Sequence, residues 1–81
     1  MSTMQKIDFE LRGEFIELDK LLKATGLAES GGRARVMVVE GLVQVDGQPE
    51  SRKTAKIRAG QVVALHGVRI TVKASVEPGN P

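Results

Sequence analysis

The segment "SGGRARVMVVEG", Ser30–Gly41, decides the fold. Its second half is mostly β-branched, which suits a strand. Its spacing suits a helix. Ala34, Met37, Val38 and Gly41 recur at helical intervals, and Ser30 stands where a hydroxyl caps the first turn. Gly41 ends the segment with a residue that tolerates the left-handed conformation. Cap, period and stop agree, so a helix is predicted. Val36 and Val39 fall off the Ala34/Met37/Val38 face, which predicts burial on more than one side. The glycines pose a second question. A phosphate-cradling P-loop needs a leading strand and a Lys-Ser/Thr pair after its last glycine, whereas here Arg33 follows Gly32 and no strand is predicted just before; the G-x-G-x-x-G spacing is also absent. In a helix each glycine costs on the order of 1 kcal/mol relative to alanine. Close packing against a neighbour is the simpler reason for them. Bare N–H groups facing phosphate oxygens are the alternative.

Working outward, "LDKLLKATG" (Leu18–Gly26) reads as a preceding helix, with Leu18, Leu21 and Leu22 on one face. Glu17 and Asp19 complement its dipole, Lys20 and Lys23 share another face, and Gly26 stops it. Before it, "KIDFEL" alternates Ile7, Phe9 and Leu11 with charged residues, as a half-buried strand does, and "EFIE" is a short extended lead-in. After the second helix the period falls to two. "LVQVDGQ" carries an Asp46–Gly47 turn, "ESRKTAKIR" is basic and poorly periodic, and Val62–His66 with Val68–Lys73 form a hairpin turning at His66–Gly67. Strand, two helices and several strands predict an α+β domain with its helices packed on a small antiparallel sheet. One domain over residues 6–74 is expected, with tails at 1–5 and 75–81.

Composition bounds the function. A chain of 81 residues has one small core, and it contains no cysteine, so neither disulfides nor thiolate metal sites can form. The longest apolar runs, "VMVV" and "VVAL", are far short of a membrane span, and no leader is visible at the start, so a cytoplasmic protein is expected. Residues 1–30 carry four basic and six acidic side chains, whereas 31–73 carry eight and three. That asymmetry points to an anionic partner for one side of the molecule. The aromatics are Phe9 and Phe15 alone, too few for a sheet that stacks bases. Nucleic acid would have to be held by charge and shape. Lone His66 in a turn, and Ser30, Ser51 and Thr54 with no nearby base, give no catalytic constellation, so no enzyme activity and no cofactor are expected. Arg33 and Arg35 lie about 200° apart on a wheel, so at most one is central to a flat surface. In an extended segment Arg52, Lys56 and Arg58 share parity and Lys53 does not.

The ordered pattern resembles the S4 RNA-binding domain, and the whole chain resembles its small stand-alone bacterial members. Leu18–Leu22 fits the family's Leu-Asp-Lys-x-Leu helix start and Ser30–Arg35 its Ser-x-x-x-Ala-Arg/Lys second helix. Gly41–Gly47 fits the Gly-x-Val-x-Val-Asn-Gly turn, and Lys56–Val63 the basic stretch ending in Gly-Asp-x-Val. The resemblance implies a two-helix αL motif on a small sheet, binding structured RNA (ribosomal or transfer RNA, in ribosome assembly or translation) as a monomer. It carries RNA contacts onto Lys20, Arg35, Gln44, Lys56 and Arg58, and Arg52 and Lys53 match the basic loop of the small members. Lys23 is added from its helix face, and Arg33 as a stand-in for the basic residue many S4 domains place where this chain has Gly31. Asp46 replaces the common Asn and is expected to serve the turn alone. Reversing Arg35 to Glu is expected to weaken RNA binding with little effect on unfolding. Duplex DNA binding by the helix pair is the alternative, weakened because the second helix has no exposed Asn or Gln to read base edges. An accessory subunit of an RNA-modifying enzyme is another.

Overall fold

A computed structural model describes residues 5–74. In chain order the elements are β1 (Gln5–Leu11), β2 (Ile16–Glu17), α1 (Leu18–Ala24), α2 (Gly31–Val39), β3 (Gln44–Val45), β4 (Gln48–Pro49), β5 (Lys56–Ile57), β6 (Val62–Leu65) and β7 (Val68–Ala74). The expected tails at 1–5 and 75–81 lie outside the described residues, except Gln5, which opens β1.

Ser30–Gly41 is the second helix. Ser30 Oγ accepts the Arg33 N–H at 3.2 Å, so the predicted cap forms. Both helices end alike. Leu27 N–H donates to the Leu22 carbonyl and Gly26 N–H to Lys23, while Leu42 N–H donates to Met37 and Gly41 N–H to Val38. These paired bonds need a left-handed residue at the turn, and Gly26 and Gly41 supply it with φ of 80° and 78°. The hairpin turns demand the same of two residues each. Asp46–Gly47 and His66–Gly67 all have positive φ, the backbone twist that matches a tight antiparallel hairpin.

Five strands form a sheet in the order β1-β7-β6-β3-β4, and β2 pairs with β5 in a separate ribbon. The sheet is mixed rather than wholly antiparallel, because β1 runs parallel to β7 from Gln5 opposite Val68 to Leu11 opposite Ala74. The alternation in β1 reveals which residues turn inward, not which way its partner runs. Parallel neighbours need a long crossover, and here everything from β2 to β6 is that crossover. One apolar cluster joins Leu18, Leu21 and Leu22 of α1, Ala34, Met37 and Val38 of α2, and Val63, Leu65, Ile70 and Val72 of the sheet.

Two expectations fail. Val36 and Val39 are not buried on a second side; they are 44% and 63% exposed, because α2 packs through the Ala34/Met37/Val38 face alone. Nor do the glycines of α2 permit a close approach. A β-carbon on Gly31 would meet nothing within 4 Å, and one on Gly32 would meet only Ser30 Oγ at 3.9 Å.

Candidate nucleic-acid interface

The first turn of a helix has N–H groups with no partner inside it. At the start of α1 no side chain caps them. The basic loop does so with its backbone: Leu18 N–H donates to the Ala55 carbonyl at 2.9 Å and Asp19 N–H to the Lys53 carbonyl at 3.0 Å. Beside this, β5 pairs with β2, Ile16 opposite Ile57 and Glu17 opposite Lys56. The segment that looked aperiodic is therefore fastened at four successive residues, Ile16 and Glu17 of β2 and Leu18 and Asp19 of α1.

Asp19 ties in the third element. Its side chain is 6% exposed. Oδ1 accepts the Lys20 N–H at 2.8 Å, and Oδ2 accepts Nε–H of Arg35 from α2 at 3.3 Å. One buried carboxylate thus fixes Arg35, while the backbone of the same residue holds the loop at Lys53. One turn beyond Arg35, Val39 lines a groove of about 640 Å³ whose other wall is Ser51–Lys56. Arg52, Lys53 and Lys56 thus line one groove, and Arg35 is linked to the same loop through Asp19.

The members differ in how free they are. Lys20 Nζ is 3.0 Å from Glu17 Oε1. Arg52 grips Glu50 with two prongs, Nε to Oε2 at 3.1 Å and Nη2 to Oε1 at 3.3 Å, and its N–H adds a third bond at 3.0 Å. These side-chain bonds, then the backbone one, hold the Glu50 carboxyl below the usual glutamate range, and the same contact raises Arg52. Lys53 is exposed with no ion pair among the described residues. Lys56 Nζ and Arg58 Cζ lie over the Phe15 ring, 5.0 and 5.9 Å from its centroid. Lys23 and Arg33 are exposed without an ion-pair partner among the described residues. The wheel separates Arg33 from Arg35, and only Arg35 reaches Asp19.

Gln44 stands apart. It pairs across from Ala64 and lines a shallow groove with Asp46, Val62, Ala64 and Arg69. By the alternation of the strands this is the sheet face away from the core. Asp46 does not serve its turn alone, because its carboxylate ties the turn to the start of β6: Oδ1 accepts the Val62 N–H at 2.9 Å, and Oδ2 accepts Nε2–H of Gln61 at 3.2 Å. Two donors meeting one side chain explain a carboxylate here, since an amide has one oxygen to offer. His66 is exposed at a hairpin tip.

Sequence reasoning missed Glu50 as the clasp on Arg52, Phe15 as a surface residue, and Asp19 as more than a dipole partner. The parity of Phe15 and Glu17 opposite Ile16 was a usable signal for Phe15. Asp19 offered none, since Arg35 lies in a different helix.

The sequence profile of the S4 domain family matches residues 9–73. The chain belongs to the S4 domain family. The "Putative RNA-binding protein YbcJ" of Escherichia coli (strain K12) is 48% identical over 59 residues, which are 73% of this chain and 84% of that one. The "Probable ribosome maturation protein RlbA" of Bacillus subtilis (strain 168) is 35% identical over 54 residues, 67% and 76% of the two chains. The solution structure of E. coli YbcJ, described as revealing an αL motif involved in RNA-binding, superposes with a TM-score of 0.64 at 42% identity, covering 91% of this chain and 92% of that one. The helix pair and the sheet of this S4 domain are that fold.

Proposed function

We propose that this S4 domain binds structured RNA, ribosomal or transfer RNA in ribosome maturation or translation, without catalysing a reaction. It does so as a single copy in the cytoplasm. The observation that carries the reading is the fastening of the basic loop across β2 and the start of α1, which orders the backbone of Lys53 and Lys56 next to Asp19, the residue that holds Arg35, before any ligand arrives. The E. coli relative's name and structure description, and the ribosome-maturation name of the B. subtilis relative, support RNA as the partner. Cations on a fixed frame suit phosphates in a fixed spatial array, so RNA shape supplies the selectivity. The exposed residues of α2 include Arg33 and Arg35 but no Asn or Gln with which to read adenine edges in duplex DNA.

Each phosphate neutralised steepens the plot of log affinity against log salt by about 0.7–0.9. Contacts from Arg35, Lys53, Lys56 and Arg58 give an expected slope of about −3. Titration of a folded ribosomal RNA fragment with duplex DNA as competitor tests this. A flat salt response, or preferential displacement by the duplex, overturns it.

A further inference from the structure

The β2–β5 ribbon turns Ile16 and Ile57 toward the core; Ile57 is buried and Ile16 packs against the cluster. Alternation sends Glu17 and Lys56 outward, and one step further along this register Phe15 lies across from Arg58. The outer surface of the ribbon is therefore an aromatic ring 39% exposed with an ammonium and a guanidinium poised on it. Next to the ring runs a groove of about 330 Å³ lined by Phe9, Glu10, Leu11, Arg12, Phe15 and Ile16. Lys56 also lines the larger basic groove, so the two surfaces are continuous.

We propose that Phe15, with Lys56 and Arg58, is a subsite for one unpaired nucleotide of the bound RNA. This rests on the RNA-binding reading and deepens it. A nucleotide is the ligand that presents a flat π-face and an anion one linkage apart. The ring offers the stacking surface and the two cations the counter-charge. Base stacking on an exposed ring is about twice as strong as a solvent-exposed cation–π contact. An arriving base therefore displaces one cation from the ring, and the freed cation meets the nucleotide's phosphate. Two phenylalanines exclude a sheet of stacked bases; they do not exclude a single platform at the edge of a basic groove.

The chain has no Trp or Tyr, so Phe15→Trp places a single indole at the platform. The probes are an RNA hairpin with an adenine-rich loop and a fully paired RNA duplex with the same number of phosphates. Saturable quenching of the indole by the hairpin but not the duplex, and about tenfold weaker hairpin binding by Phe15→Leu, are expected. Phe15→Leu keeps an apolar side chain, and both variants are first checked for parent-like thermal unfolding. If hairpin and duplex bind alike without quenching, or Phe15→Leu binds the hairpin as the parent does, the subsite is refuted and RNA binding stands. If neither RNA binds, both readings fall.

Discussion

Arg35 is the residue on which structure and function are hardest to separate, and the contact with Asp19 says how to do it. Its side chain is 56% exposed while that of Asp19 is 6% exposed. Truncating Arg35 leaves the carboxylate with the Lys20 N–H on Oδ1 and nothing on Oδ2. Losing one partner of a fully buried pair costs about 3–5 kcal/mol, and a hydrogen bond to a charged group is worth about 1.5–3. Half the pair is in water, so the lower end applies, and Arg35→Gln is expected to cost about 1.5 kcal/mol. For a domain of this size that lowers the melting temperature by about 6–12 °C. Arg35→Glu sets two carboxylates together and costs more, about 2–3 kcal/mol once the shorter side chain swings away. The expectation that charge reversal leaves unfolding unchanged is therefore corrected. Asp19→Asn removes the buried charge that needs Arg35, so Asp19→Asn/Arg35→Gln is expected to unfold closer to Asp19→Asn than additivity allows. RNA affinity, measured well below every melting temperature, stays low in the double variant because the phosphate contact is still missing. Circular dichroism melts with fluorescence anisotropy give both quantities. Parent-like melting of Arg35→Gln refutes the anchoring role, and recovered affinity in the double variant refutes the direct contact.

The other expectations concern the loop and the start of α2. Glu50 titrates below the ordinary value of 4.5, so its clasp on Arg52 is intact above that value and is lost as pH falls through the depressed one; carboxyl NMR titration checks this, and Arg52→Gln returns the midpoint toward 4.5. Glu50→Gln releases Arg52 at neutral pH and is expected to steepen the salt slope for RNA by about 0.7–0.9, with an unchanged slope counting against Arg52 as a phosphate contact. Gly31→Ala fits without a clash and is expected to stabilise by up to about 1 kcal/mol; a lowered melting temperature shows that position 31 needs glycine. The amides of Leu18 and Asp19, bonded to loop carbonyls, are expected to exchange with deuterium far more slowly than those of Gly31 and Gly32, and equal rates mean that the loop is not docked.

What was legible in the sequence is what is encoded locally. The Ser30 cap, the glycine stops at 26 and 41 and the two hairpin turns are each decided within a few residues, so they could be read off one stretch. The parallel pairing of β1 with β7 joins residues at opposite ends of the chain, and alternation carries no direction. The helix-one cap escaped because its acceptors are the carbonyls of Lys53 and Ala55, which every residue possesses. Val36 and Val39 misled for the opposite reason: an apolar side chain signals a core face only when another element covers it.

The same limits explain why the basic residues could be picked out while their arrangement could not. A loop of long cations on a free tether would lose its backbone and side-chain freedom on meeting RNA, at a cost that offsets much of the phosphate attraction. Here the backbone part of that cost is met during folding. Unpaired N–H groups at the start of α1 demand acceptors, the loop carbonyls satisfy them, and β2 holds β5 alongside. The amides that a side chain would ordinarily cap are thus the device that orders the basic loop. Asp19 extends the device to α2 by fixing Arg35 from beneath. On the proposed reading, stability and RNA binding share one small set of contacts at α1's first turn, so substitutions there are expected to act on both and only paired variants tell the two apart.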